Sequence, residues 1–105
     1  MRIMNGDKIV ARLHKINDFY PVIRVEPGVT MIERPIALFG LDGTEVTLEE
    51  FFKWIEERCF PPERVGADEL LAELGLKEYN ALSIVEKTKG VLSYQDNFWI
   101  DFDNN

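Results

Sequence analysis

"TLEEFFKWIEERCFPPER", residues 47–64, is where this chain changes from one kind of structure to another. Thr47 followed three residues later by Glu50 is a capping box, in which each residue satisfies an orphan donor of the first helical turn. Leu48, Phe51, Phe52, Ile55 and Cys59 then recur at helical spacing, with Trp54 at the flank and Lys53, Glu56 and Glu57 turned away. A residue before proline avoids the α region, so Pro61 and Pro62 predict that this helix stops near Cys59.

Before this segment the pattern is extended. In "DKIVARLHKI", Ile9, Ala11 and Leu13 fall on one side and Lys8, Arg12 and His14 on the other, the period of two of a half-buried strand. "NDFYPVIRVEPG" follows a polar break at Asn17 and Asp18, and Glu26-Pro27-Gly28 makes a turn. "VTMIE" and "PIALFGL" read as two further short strands, with a turn at Leu41-Asp42-Gly43. After the segment the pattern is helical. A second helix is predicted from Gly66 to Leu74, burying Ala67, Leu70, Leu71 and Leu74 and stopped by Gly75. Asn80 caps a third helix that runs through Thr88 and stops at Gly90. "NFWIDF", residues 97–102, is an aromatic-rich strand with Phe98, Ile100 and Phe102 opposite Trp99 and Asp101. The predicted fold class is α+β: a small antiparallel sheet from residues 1–46, joined by the C-terminal strand and packed on three short helices within 47–90.

A chain of 105 residues that is 46% hydrophobic can bury a real core without a metal or a disulfide. The start at Met1 and the polar end lead us to expect one domain over residues 1–105. The single cysteine and the lack of a signal-like apolar run imply a cytoplasmic protein, and no apolar stretch is long enough to span a membrane. The net charge is −7, unevenly placed. Residues 1–46 hold six basic and six acidic residues, whereas 47–105 hold six basic and thirteen acidic ones. Duplex binding draws its affinity from neutralised phosphates, so an acidic helical half opposes it. That half is either a solubilising face or a contact surface for a basic partner.

The candidate chemistry is sparse. Cys59 sits at a helix C-terminus, where the dipole disfavours a thiolate, and it continues the apolar stripe; an inert, largely buried thiol is expected. His14, the one histidine, falls on the polar side of its strand with no second histidine to share a metal. Asp101 and Asp103 alternate on the last strand as oxygen ligands for Mg²⁺ would, a spacing common on solvated strands. No phosphate loop, nucleophile elbow, CxxC or HExxH is present, so no enzyme and no cofactor are expected. The successive helices allow a helix-turn-helix, but its recognition helix carries Lys87 and Lys89 only at its end, where they complement the dipole.

From residue 51 to 102 the order is "FFKWIEERCFP", Arg64, "LLAELGL", "YNALSIVEKTKG" and "DNFWIDF". This order resembles a group of small bacterial proteins associated with HipA-type serine/threonine kinases, the toxin component of some toxin–antitoxin systems. The resemblance covers about half of the chain and includes no kinase signature. It implies an accessory or companion module, with another protein, a kinase-like one, as partner. Arg58, Phe60 and Arg64 flank the proline turn and are the candidate partner contacts, with both arginines at least partly exposed and Phe60 covering the helix end. The leading expectation is a non-enzymatic interaction or regulatory module. The alternatives are a nucleic-acid-binding regulator and a phage-derived host-takeover protein.

Overall fold

The computed structural model describes residues 1–15, 21–91 and 96–103. Its elements run β1 (Arg2–Asn5), β2 (Lys8–Lys15), β3 (Pro21–Val25), a 3-10 turn (Met31–Glu33), α1 (Ile36–Phe39), β4 (Glu45–Thr47), α2 (Leu48–Glu57), α3 (Ala67–Glu73), α4 (Ala81–Thr88) and β5 (Phe98–Asp101). The strands form one antiparallel sheet in the order β4-β3-β2-β1-β5, so the C-terminal strand pairs with the N-terminal one. This is the expected α+β arrangement. The polar break expected at Asn17 and Asp18 lies outside the described residues.

One row of the sheet is charged from edge to edge. Glu45, Arg24, Arg12, Arg2 and Asp101 are register partners across all five strands. Arginines directly opposite one another repel. Here each has a carboxylate: Arg24 meets Glu45 at 2.8 Å, Arg12 meets Glu26 at 2.7 Å and Arg2 meets Asp101 at 2.9 Å. The neighbouring row, Val25, Ala11, Ile3 and Ile100, alternates to the opposite face and is buried. Phe51, Trp54 and Ile55 of α2 and Val85 of α4 belong to the same core cluster. Asp101 is therefore the counter-ion of Arg2, and its other oxygen accepts the Asp103 backbone N–H at 3.1 Å.

The helical half follows its sequence signals. Thr47 Oγ1 accepts the Glu50 backbone N–H at 3.1 Å, which starts α2 as a capping box should. Asn80 Oδ1 accepts the Ser83 backbone N–H at 3.0 Å at the start of α4. Gly75 follows α3 at φ 76 and Gly90 follows α4 at φ 70.

Several expectations for the N-terminal half need correction. β1 was not anticipated, although Gly6-Asp7 joins Asn5 to its register partner Lys8 as a two-residue hairpin loop. β4 was also not anticipated. The alternation proposed for β2 fails at a bulge: Met4 pairs with Ile9 and Ile3 with Ala11, leaving Val10 as the extra residue. Ile9 therefore shares a face with Met4 and not with Ala11, while Val10 and Ala11 are both fully buried. "VTMIE" and "PIALFGL" are not strands. The first forms the 3-10 turn, in which the Thr30 backbone N–H donates to the Glu33 carboxylate at 2.9 Å. The second is α1, entered through Pro35 and ended by Gly40. Proline lacks the N–H that a sheet ladder needs and is tolerated where a helix begins.

Candidate interaction surface

The proline turn that follows α2 does not display its three candidate residues together. Arg58 is buried, its side chain only 4% exposed, whereas Phe60 is half-buried and Arg64 is exposed. The exposure expected of Arg58 is thus not observed, because its guanidinium makes four hydrogen bonds inside the fold. Its Nε donates to the Gly90 carbonyl at 2.7 Å. Nη1 and Nη2 form a bidentate pair with Asp96 at 2.9 and 2.8 Å, and Nη2 also donates to the Phe98 carbonyl at 2.9 Å. The cation lies 4.9 Å from the Trp54 ring centroid. Arg58 holds the Asp96 carboxyl below its ordinary value, chiefly through those side-chain hydrogen bonds.

Arg58 also helps close a sheet edge. β5 lies at the end of the sheet, where unpaired N–H and C=O groups invite another chain. Arg58 takes the Phe98 carbonyl, and the Ile100 N–H donates to the Lys89 carbonyl at 2.7 Å.

Cys59 is partly buried and packs against the core, less enclosed than its place on the helical stripe implied. It lies just past the end of α2, where the stripe no longer continues. The Tyr79 hydroxyl donates to the Phe60 carbonyl at 2.6 Å and lies 3.6 Å from Cys59 Sγ. Burial, followed by the hydrogen bond with Cys59, pushes the Tyr79 phenol up to about 12. The Phe60 ring meets the Tyr79 ring edge-on at 5.9 Å. His14 is exposed on β2, as expected. Among the described residues no three His, Cys, Asp or Glu side chains gather as a metal site would require.

A surface that sequence reasoning missed lies on the segment once read as strands. Met31, Ile32, Ile36 and Leu41 are 43, 81, 47 and 59% exposed, four large apolar side chains within one short stretch. Ile36 also lines an open cleft of about 270 Å³ between α1 and α2, with Pro35, Ala37, Trp54 and Phe98 on its walls and Glu57, Arg58 and Asp96 as its polar groups. A smaller hollow of about 160 Å³ shares Ala37, Trp54 and Glu57 with it and adds Glu50 and Lys53. In the same segment Arg34 is buried; its Nη2 donates to the Leu41 carbonyl at 3.0 Å, and its Nε has no acceptor. The sequence signal was present in Thr30-x-x-Glu33 and in Pro35. Both mark helical starts, which leaves "MI" and "IA" on short turns that cannot bury all their side chains.

The chain matches no protein-family model, no curated protein and no solved structure.

Proposed function

We propose that this protein is a non-enzymatic interaction or regulatory module that works in the cytoplasm, binds another protein through the α1–α2 face, and is a companion of a HipA-type kinase. The observation that carries the interaction reading is Ile36, exposed on the wall of the Trp54 cleft, in a segment that also exposes Met31, Ile32 and Leu41. Large apolar side chains left exposed within one segment point to a contact site, and aromatic residues in pockets are frequent anchors. The kinase as partner rests on the resemblance of residues 51–102 alone. Phe60 and Arg64 remain candidate contacts at a second place, the turn after α2. The cytoplasmic assignment rests on cysteine usage; no helix among the described residues is long and apolar enough to cross a membrane.

The test is calorimetric titration with the product of a kinase-like reading frame neighbouring the gene. We expect micromolar or tighter binding, lost in Ile36→Asp and kept in Arg64→Ala if the α1–α2 face is the principal contact. A salt-dependent duplex titration runs in parallel. Appreciable duplex affinity at physiological salt, with no protein partner bound, would overturn the proposal in favour of a nucleic-acid regulator. The exposed acids Asp68, Glu69 and Glu73 on α3 argue against that outcome.

A further inference from the structure

We infer that the cleft between α1 and α2 receives a basic side chain, Arg or Lys, carried on an otherwise apolar segment of the partner protein. This rests on the interaction reading above and adds the chemistry of the partner.

The cleft has room for one long side chain, and its walls are of two kinds. Pro35, Ile36 and Ala37 face Trp54 across it, an apolar slot that suits the methylene stem of a lysine or arginine. The polar end holds Glu57, Asp96 and the buried Arg58, two carboxylates against one cation. Asp96 is engaged by Arg58 through a bidentate pair, so those charges offset each other. Glu57 is exposed at the rim and, among the described residues, has no ion-pair partner. In the adjoining hollow Glu50 is exposed with one oxygen occupied by the Thr47 cap, and Lys53 is the one cation among the described residues that line it.

Charge complementarity extends beyond the rim. α2 carries Glu49, Glu50, Glu56 and Glu57 against Lys53, and the whole excess negative charge of the chain lies in residues 47–105. A carboxylate entering the slot would meet Glu57. A purely apolar side chain would bury the slot but would strip water from Glu57 without replacing it. A cationic head on an apolar stem satisfies both ends, and the exposed Ile36 on the wall offers apolar contact to its neighbours.

The experiment titrates the isotope-labelled full chain with three short synthetic leucine-rich peptides that differ only at a central arginine, glutamate or norleucine. Amide and indole shifts are followed by NMR. The arginine peptide is expected to move the Trp54 indole and residues 31–41, and to bind about tenfold more tightly than either counterpart. Glu57→Gln should remove that preference and leave a weak apolar affinity, with an unchanged melting temperature because Glu57 is exposed. Equal affinity for the three peptides, a preference that survives Glu57→Gln, or no binding of the arginine peptide would each overturn the inference. A natural partner that is lost with Ile36→Asp but indifferent to Glu57→Gln would sink the cleft chemistry and leave the interaction reading standing.

Discussion

Arg58 joins three parts of the chain through one side chain: the end of α2, the glycine stop after α4 and the entry to β5. Removing it leaves Asp96 without its cation and two carbonyls without donors. Asp96 is 27% exposed and water can reach it, so losing these charge-assisted hydrogen bonds costs about 1.5–3 kcal/mol. Arg58→Ala is therefore expected to lower the urea midpoint by a large fraction of the total stability, and Arg58→Lys to recover only part of it, since an ammonium cannot reproduce the bidentate geometry. Arg64→Ala, at an exposed position of the same turn, should stay within about 0.5 kcal/mol of the parent. Equal losses from Arg58→Ala and Arg64→Ala would contradict this assignment. The acid side of the stability profile follows from two carboxylates. Glu33 is lowered from 4.5 to about 2, first by the side-chain hydrogen bond from Lys8 and then by the Thr30 backbone N–H. Asp96 is lowered from 3.8 by Arg58. A folded-state pKa below the unfolded one gives stability that is full above the unfolded value and is lost as pH falls through the folded value. Denaturation midpoints should thus fall as pH drops from about 4.5 toward about 2. Asp96→Asn should flatten part of that fall, and an unchanged slope would exclude Asp96 as a contributor.

At the scale of elements, similar capping devices act twice with different outcomes. Thr47 and Glu50 open α2, a helix with enough apolar length to dock on the sheet. Thr30 and Glu33 open a single 3-10 turn, which the chain leaves through extended Arg34 and Pro35. Thr47→Ala should cost about 1 kcal/mol in chemical denaturation. A sharper effect is expected at the loop after α1. A Cβ on Gly43 would lie 2.0 Å from the Phe39 carbonyl oxygen, which is backbone and cannot swing aside. Gly43→Ala should therefore destabilise more than Gly6→Ala, where a Cβ meets nothing within 4 Å and the cost is that of φ +57 alone. Thermal denaturation of the pair checks the order, and the reverse order would show that the loop after α1 moves freely. The helices from Thr47 to Thr88 were legible because periodicity, caps and glycine stops are local. The β2 bulge was not, since "IVARL" contains apolar residues at both parities and only the pairing with Ile3 and Met4 selects which of them turn inward.

For the whole molecule the decisive feature is the order β4-β3-β2-β1-β5. It makes the last strand a neighbour of the first, and Ile100, fully buried, sits opposite Ile3. Truncation before Asn97 would remove Ile100 from the core, uncover the β1 edge and leave Arg58 without the Phe98 carbonyl. Losing one such core side chain alone costs about 2–5 kcal/mol, so the truncated chain should lack dispersed amide resonances and a cooperative melting transition. A truncated chain that still melts cooperatively would show that the sheet does not depend on its fifth strand. Caps, the apolar stripe of α2, the glycine stops and the alternation in "NFWIDF" were all written in neighbouring residues, because they are short-range hydrogen bonds and steric limits on φ. The α+β class followed from them. The burial of Arg58 and the charged row across the sheet were settled by partners far along the chain. Arg58 meets Asp96 across 38 positions and Arg2 meets Asp101 across 99. Only closure of the fold brings such groups within hydrogen-bond distance, and only then does a charged side chain find the acceptors that let it leave water.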